Sequence, residues 1–440
     1  MSLLDRSIKA ALLLIILLLV SFVILVNVQD FLEHNPSGFV GSVGDNPFVA
    51  PPLGNPPSHH TIVHVNSTES LRTALLGLQS NTTILIAEGV YRADQTSEKR
   101  FLTPVNEPVE DVVIRGDTDD PSKVVIEGRD KFSSEAEFGI QLFNIKNVVV
   151  ADLTVQKVLY HCVDLQPTHG TSDVHLYNLR LFEAGEQLVK SSKGTNGLGT
   201  QNLVIEYCVF EQANGWGVHP VLGYAYGNGI SAHQTTDLVI RHCTFRNLYY
   251  TTSDLAGPAV LVWSGSTGTK VEGNLFINCA RGVAFGLSEG GNGHTGGWIV
   301  NNIFYRDGSV KYASDVAFYV ESSNTIVTHN TILVSGTYNS PVEVRYGATT
   351  NVTVTNNIFD GGVIWERDGT AGNNIDNNVF VAQVGWFSNI RGEDFHLVTN
   401  NETTSMVIDQ VTTGWLQSDF DGDIRPQGSG WDLGADEVIP

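Results

Sequence analysis

Residues 299–304 read IVNNIF, and variations on this phrase return along most of the chain. Each copy has an aliphatic residue, two variable residues, an Asn or Cys, and then an apolar pair. Two earlier copies carry Leu in place of the Asn or Cys. Aligned on that position, the column comprises Leu153, Leu179, Cys208, Cys243, Asn274, Asn302, Asn330, Asn357 and Asn378. Successive members lie 21 to 35 residues apart.

The unequal spacing favours one kind of repeat architecture. Short β-branched strands recur with a constant turn on one side and loops of variable length elsewhere. This is typical of a chain that coils into stacked parallel strands, because each coil keeps its cross-section while its corners differ. Stacking at about 4.8 Å per coil places the Asn residues in a buried ladder, with side-chain amide against side-chain amide. The pattern predicts an all-β solenoid.

Length and net charge limit the architectures and partners that are expected for this chain. A chain of 440 residues would suit two or three domains, but a solenoid grows in one dimension and needs no second core. The formal net charge of −22 argues against nucleic acid and against anionic membrane surfaces as partners. It suits an acidic, secreted surface, and it makes an anionic substrate harder to attract.

The N-terminus predicts a membrane anchor. Arg6 and Lys9 precede an apolar run at residues 10–28, which is just long enough to span a bilayer as a helix. No small-x-small cleavage site follows it, so residues 1–33 are predicted to be a cytoplasmic stub and an uncleaved signal-anchor transmembrane helix. The flanking charges place the bulk of the chain outside, periplasmic or extracellular. A cleaved signal peptide is the alternative.

A linker and one domain follow the anchor. Residues 34–60 are rich in Pro, Gly and Asn, which predicts an extended spacer. Residues 61–440 are predicted to form the β-helix domain. Near its start, Ser67 can cap a short amphipathic helix whose apolar face would cover the end of the solenoid. That face carries Leu71, Ala74, Leu75 and Leu78.

Two segments at the start of this domain carry a family resemblance. TILIAEGVYRAD (83–94) and VVIRGDTDDPSKVVIEG (112–128) resemble the opening of pectate-lyase-like right-handed parallel β-helix proteins, and are most similar to the chondroitinase and alginate lyase branch. The Asn ladder and the tail from DGDIRP (421–426) to GADE (434–437) are similar to the same superfamily. The resemblance implies a right-handed parallel β-helix. It implies no single activity, because this fold hosts lyases, hydrolases, epimerases and non-catalytic proteins.

A second strand precedes each ladder phrase and predicts a functional column. Its alternate residues are apolar and are expected to point inward: Val163, Ile230, Ala232, Val260, Val262, Val283, Phe285, Phe318, Val342 and Val344. The opposite set is expected to point outward: Asp164, Lys190, His233, Trp263, Gly286, Tyr319, Glu321, Glu343 and Arg345. We expect Lys190, His233 and Trp263 to lie on three adjacent coils, although a packed or solvated surface role for each stays open.

Three long loops belong to the same coils, at residues 212–229, 247–258 and 287–297. We expect them to converge on one corner beside the column. They carry Trp216, His219, Tyr224, Tyr226, Tyr249, Tyr250 and His294. Aromatic rings around a groove suit sugars, which stack on aromatic faces, so the expected partner is a polysaccharide.

Among reactions, β-elimination on a uronic-acid polymer is the first hypothesis. It needs a neutralised carboxylate, a base near the acidic carbon and an acid at the leaving oxygen. The expected base is Lys190 or His233, with Arg345 or a loop Tyr assisting. The expected substrate-binding residues are Asp164, Trp263, Trp216, Tyr226, Tyr249, Tyr319 and Glu321.

Other functions stay open. A non-catalytic glycan-binding or envelope-structural protein could use the same groove. A hydrolase would need two carboxylates about 5–9.5 Å apart, and the column supplies carboxylates only several coils apart. An epimerase is disfavoured because GISAHQ (229–234), which is similar to the Asp-Pro-His-Asp motif of mannuronan epimerases, lacks both flanking Asp residues.

The sequence gives only weak indications of a metal site or of a disulfide. Asp419, Asp421 and Asp423 alternate as in a Ca²⁺ loop, but no glycine-then-glutamate pattern follows, which favours a turn. No residue is therefore assigned to a metal, and a need for Ca²⁺ stays open, as does the oligomeric state. Cys208 and Cys243 are predicted to be buried thiols, with a disulfide as the alternative.

Overall fold

Parallel pairing between successive copies of the repeat sets the architecture. The computed structural model describes residues 46–439, except 196, 309, 310, 335 and 339. These residues form a parallel β-helix, in which each strand pairs with its counterpart one coil earlier and one coil later. The all-β solenoid is therefore confirmed. The right-handed sense is the one that crossovers between parallel strands almost always take.

The first face of the solenoid, here called the groove sheet, has ten parallel strands. In chain order they are Phe101–Leu102, Ile140–Phe143, Val163–Gln166, Val189–Ser191, Ile230–His233, Val260–Trp263, Val283–Phe285, Val316–Val320, Ser340–Arg345 and Trp365–Arg367. Its inward side chains, as predicted from alternation, are buried at 0–1% exposure from Val163 to Val344.

A second sheet of twenty strands, here called the ladder sheet, forms most of the other faces, and three short parallel strands form a separate sheet: Ser266–Thr267, His294–Thr295 and Ser322–Ser323. The strands of the ladder sheet are Thr61–Val65, Thr82–Ile86, Gly89–Arg92, Val109–Gly116, Val124–Glu127, Ile145–Val158, Ser172–Ala184, Leu203–Glu206, Val209–Glu211, Val239–Arg241, Thr244–Arg246, Lys270–Glu272, Leu275–Ile277, Trp298–Val300, Ile303–Tyr305, Ile326–Thr328, Thr331–Leu333, Thr353–Thr355, Ile358–Phe359 and Asn374–Asp376. From Leu203 onward, most coils contribute two short strands separated by a sharp bend.

The repeated phrase encodes that bend. The residue before each ladder position has a left-handed backbone, with φ between +49° and +60°. These residues are Asp152, Asn178, Tyr207, His242, Gly273, Asn301, His329, Asn356 and Asn377. Asn, Asp and Gly tolerate this conformation best, which explains their frequency there. The ladder residue then points into the solenoid.

Hydrogen bonds between the ladder side chains confirm the predicted stack. The Oδ1 of Asn302 accepts the backbone N–H and the side-chain amide of Asn274, each at 3.0 Å. Asn330 and Asn357 repeat the pattern one coil further on. Asn378 ends the series. Cys208 and Cys243 are buried free thiols, so the thiol interpretation is confirmed.

A helix covers the first coil of the solenoid, and the C-terminal segment packs on its side. The helix Thr68–Leu76 begins at Ser67, whose side chain accepts the N–H of Ser70, and it buries Leu71 and Leu75 as expected. At the other end, the antiparallel strands Phe387–Asn389 and Asp394–Leu397 and the helix Asn401–Met406 lead into a long tail. This C-terminal segment packs its own apolar cluster against outward residues of the ladder sheet, such as Leu275 and Ile303.

Of the predicted anchor and linker, the structure describes residues 46–60. The expected transmembrane span and the linker up to residue 45 lie outside the described residues. In the part of the chain that the structure describes, no helix has the length and apolar character to cross a membrane. Residues 46–60 run along the solenoid: Leu53 packs beside Tyr177, whose hydroxyl donates to the carbonyl of Pro51 at 2.6 Å.

Candidate active site

The outer face of the groove sheet carries two parallel columns of side chains. Lys190 pairs in register with Asp164 on one side and Ser231 on the other. His233 lies two residues after Ser231 on the same strand, and it pairs with Trp263 on the next strand. The prediction of a single column is therefore wrong, because the residue in register with Lys190 on the next strand is Ser231 and not His233. The prediction of three adjacent strands is confirmed.

Although Lys190 and His233 lie in different columns, the three side chains meet. The Nζ of Lys190 lies 2.8 Å from Nε2 of His233 and donates to Ser231 Oγ at 3.2 Å. The indole Nε1 of Trp263 donates to the same Nε2 at 3.1 Å. The amine of Lys190 therefore reaches the neighbouring column through its long side chain.

These contacts define the form of the imidazole. An indole N–H can only donate, so Nε2 of His233 must carry its lone pair. The ring proton then lies on Nδ1, which is 3.2 Å from Ser264 Oγ. Burial, with the charge of Lys190 as a further cause, lowers the pKa of His233 to about 3. At neutral pH His233 is an uncharged acceptor.

Lys190 is the group that titrates near neutrality. Burial lowers the pKa of Lys190 to about 8, while the carboxylates of Asp164 and Glu186 oppose the shift. A substantial fraction of its amines is therefore neutral at slightly alkaline pH, and a neutral amine can accept a proton. Burial is thus the cause of the lowered pKa of Lys190, whereas for His233 the charge of Lys190 adds to the effect of burial.

Glu186 was not predicted from the sequence. It lies in the turn that precedes the strand Val189–Ser191, where alternation along a strand gives no direction. Burial raises the pKa of Glu186 to about 7, against the attraction of Lys190. Its position four residues before Lys190 was the only available signal. A carboxyl group that titrates near neutrality therefore interacts electrostatically with the amine.

Asp164 has a supporting position. It is 1% exposed, and its Oδ2 accepts the side-chain amides of Gln141 and Gln166, each at 2.6 Å. Burial raises the pKa of Asp164. With so little exposed surface it cannot contact a polymer directly, so its expected substrate contact is wrong. Its charge acts on Lys190 instead.

Partly exposed aromatic rings flank the Lys190 strand at the edge where the groove strands begin. Phe138 and Tyr160 lie 5.3 Å apart between ring centroids, and Tyr160 stacks on His219 at 5.8 Å. Tyr226, a predicted binding residue, is partly exposed and interacts with Gln187 and with the charge of Glu186. Burial raises the pKa of Tyr226, so its hydroxyl keeps its proton. Such rings can hold sugars by stacking.

Other predicted residues lie elsewhere on the sheet. Arg345 is five strands from Lys190, about 24 Å at the usual strand spacing, and it pairs with Asp368 at 2.5 Å. Tyr319 and Glu321 hydrogen-bond to each other, and Glu321 also accepts backbone N–H groups in the next turn. Both are almost fully buried. The structure thus removes these three residues from the site around Lys190.

Two predicted aromatic contacts are also wrong. Trp216 is fully buried, and its indole donates to the carbonyl of Ala184 at 2.9 Å. Tyr249 is 6% exposed and stacks on Tyr312 with centroids 4.4 Å apart. Burying a large ring stabilises the fold more than leaving it in water, so these loop residues pack into the solenoid.

The three long loops do not converge on one corner. Residues 212–229 and 247–258 precede their groove strands, whereas 287–297 follows one, so the loops lie along opposite edges of the groove sheet. His294, in the third loop, is buried, with ring nitrogens bonded to Ser322 and Thr269. The loops therefore border the groove along both of its edges and do not cover it from one corner.

Comparison with known proteins supports the fold. No protein-family model matches the sequence, and a comparison with curated proteins found no match. Among solved structures, the chain is similar to pectate lyase Pel9A, with 13% identity and a TM-score of 0.54 over 86% of this chain and 96% of that one. Alginate lyase from Paenibacillus sp. str. FPU-7 gives 15% identity and a TM-score of 0.44, covering 73% of this chain and 98% of its own. PfbA, a surface adhesin of Streptococcus pneumoniae, gives 15% and 0.40, covering 71% and 86%.

The likeness to Pel9A confirms the β-helix fold that the sequence resemblance implied. It extends over nearly the whole of both chains. At this level of identity the likeness does not show that the two proteins share an activity, since one fold supports many functions.

Proposed function

We propose that this protein cleaves a uronic-acid-containing polysaccharide by β-elimination, with Lys190 as the base. The observation that carries the proposal is the lysine itself. Its amine lies on the outer face of the groove sheet, held by Ser231 and by the lone pair of a neutral His233. Burial lowers the pKa of Lys190 to about 8, which suits a base that works near neutral pH.

The reaction can be written in terms of these groups. The neutral amine of Lys190 takes the proton from the sugar carbon next to the carboxylate. The electron pair left on that carbon forms a double bond to the neighbouring carbon, and the glycosidic bond to the leaving oxygen breaks. The leaving oxygen takes a proton from an acid. Tyr226, whose hydroxyl stays protonated because burial raises its pKa, is the candidate acid.

The substrate carboxylate also needs a positive partner, because its charge opposes loss of the neighbouring proton. Lys193 follows the Lys190 strand, is exposed, and acts electrostatically on His233. We assign it the role of pairing with the uronate. His233 is assigned a positioning role, because its own pKa of about 3 makes it a poor base.

The assay uses the full-length chain, purified in detergent because of its apolar N-terminal run. It is incubated with a panel of uronic-acid polymers and one neutral polymer. Ultraviolet absorbance from unsaturated chain ends, with uronic-acid polymers only, is the expected result. New reducing ends without that absorbance would overturn elimination in favour of hydrolysis. No new chain ends on any polymer would overturn catalysis.

The rate should rise with pH. Only the deprotonated form of Lys190 accepts a proton, and that form increases as the pH passes upward through the pKa of about 8. We expect kcat/KM to increase about tenfold per pH unit below this value and to level off above it. The measurement is a pH profile of initial rates on the polymer found in the panel. A profile that falls between pH 7 and 9 would exclude a lysine base.

A glycan-binding protein is the second candidate, because Trp263 offers a partly exposed indole beside His233. Stacking on a sugar ring would contribute to binding whether or not a bond is cleaved. Trp263→Ala is therefore expected to weaken binding about tenfold, measured by titration of oligosaccharides, with a smaller effect on kcat. Trp365→Ala, on the last groove strand, is the matched control. Loss of binding without any cleavage by the unaltered protein favours this second function.

The cellular location belongs to the same proposal. A polysaccharide substrate would lie outside the cytoplasm, and the apolar run at residues 10–28 provides a signal anchor. We propose that the β-helix domain is held at the outer side of the membrane. Fractionation of the intact protein tests this. Recovery as a free protein beginning after residue 28 would show that the run is a cleaved signal peptide.

A further inference from the structure

The C-terminal segment brings together three side chains that have no part in the groove. His396 lies on the strand Asp394–Leu397, Asp421 lies in a later turn, and Asp436 lies near the end of the tail. One possible ligand atom from each residue lies within 4.8 Å of the other two. Three separate parts of the tail therefore meet at one point, packed against the ladder sheet.

Two carboxylate oxygens at this point are buried and accept no N–H group from the residues that the structure describes. Asp436 is 4% exposed, and its Oδ2 accepts the N–H of Leu397 at 2.6 Å. Its Oδ1 is buried, and no described residue donates a hydrogen bond to it. The Oδ1 of Asp421 is in the same situation. Buried carboxylate oxygens are costly unless a donor or a cation satisfies them.

His396 is oriented as metal-binding histidines are. Its Nδ1 is 2.7 Å from Asp394, and its Nε2 is 2.7 Å from Oδ2 of Asp421. A histidine that binds a metal through one nitrogen usually donates its other N–H to a carboxylate, which fixes the ring. Asp394 supplies that carboxylate, and Nε2 is the nitrogen that faces Asp421.

A second acidic group shares Asp421 but is less suited to a cation. It consists of Asp419, Asp421 and Asp423. The Oδ1 of Asp419 accepts three backbone N–H groups of the following turn, and its Oδ2 accepts the N–H of Glu437 at 2.9 Å. Asp419 therefore ties the turn together, in agreement with the interpretation from sequence.

We propose that His396, Asp421 and Asp436 bind one divalent cation of the Zn²⁺ or Mn²⁺ type. One imidazole nitrogen with two carboxylate oxygens is a donor set that these ions accept, whereas Ca²⁺ takes oxygen ligands almost exclusively. A cavity of about 630 Å³, lined in part by His396, Asp421 and Asp423, gives access from solvent. The bound ion would fasten three parts of the tail to one another.

The test uses the full-length chain after removal of metals with a chelator. Zn²⁺ and Mn²⁺ are added separately, with Ca²⁺ and Mg²⁺ for comparison, and bound metal is measured by elemental analysis after desalting. We expect one Zn²⁺ or Mn²⁺ per chain. We also expect the melting temperature to rise by about 3 °C or more at a metal concentration about 100-fold above Kd.

Variants locate the site. Asp436→Asn and His396→Gln should each reduce bound metal to background. His396 is half-exposed, so its variant tests the site even if the buried Asp436→Asn does not fold. Glu393→Gln, which removes a charge at the same cavity, and Asp423→Asn should retain one ion. Binding of Ca²⁺ alone, or loss of metal in Asp423→Asn but not in His396→Gln, would overturn the proposal. Failure of all four ions to bind would do the same.

Discussion

Lys190→Met should reduce turnover of the uronic-acid polymer by about 100-fold or more, because it removes the only base proposed for the reaction. Methionine has a similar length and apolar stem, and Lys190 makes its polar contacts only through Nζ. We therefore expect the melting temperature to change little. Lys190→Arg should be equally inactive, since a guanidinium stays charged at all relevant pH values and cannot accept a proton.

The matched control is Lys146→Met. Lys146 is an exposed lysine on the ladder sheet, so this variant makes the same change of charge on another face of the solenoid. Its kcat and KM should both equal those of the unaltered protein. Initial rates from unsaturated ends give both constants. If Lys190→Met turns over a confirmed polymer as fast as the unaltered protein, the groove around Lys190 is not the active site.

Asn302→Ala should lower the free energy of unfolding by about 3–5 kcal/mol. Asn302 is fully buried, and its Oδ1 is the acceptor for the backbone N–H of Asn274. Its amide also donates to the carbonyls of Val271 and Val300 and to Asn330. Alanine leaves these buried groups unsatisfied in a space that is now too large. Equilibrium denaturation in urea measures the difference.

Asn378→Ala is the comparison for this second variant. Asn378 accepts the same two bonds from Asn357, but it stands at the partly exposed end of the ladder. Water can replace its amide, so we expect a loss of about 1 kcal/mol. Equal losses in the two variants would show that burial along the ladder does not determine the contribution of each Asn.

The fold was predictable because a single phrase specifies it. The bend needs a left-handed residue, the next residue must point inward, and the apolar pair then begins a new strand. These requirements restrict which residue types can occur at each position. For example, Asn301 has the left-handed backbone and Asn302 is the buried residue that follows it. The order of the coils follows directly, since neighbours in sequence are neighbours in space.

The site was predictable only in part. Alternation shows which side chains leave the sheet, and it identified Lys190, His233 and Trp263 correctly as outward groups. It does not show which outward residues of neighbouring strands lie opposite each other when loops of different length precede the strands, so it does not predict that Lys190 pairs with Ser231 rather than with His233. Glu186 lies outside any strand, where no periodicity applies. Trp216 shows the converse error, because a ring in a long loop can pack inward.

The regular spacing in the middle of the ladder limits which insertions and deletions this part of the chain can accept. Asn274, Asn302 and Asn330 are each 28 residues apart, and each makes the same bonds to the next. Removal or duplication of one such 28-residue unit would join two equivalent bends and keep every remaining amide in contact with a partner. Any other change of length within these coils must be absorbed at the corners. Gene variants of this protein should therefore differ by whole turns in this region and by arbitrary lengths in the loops at the groove.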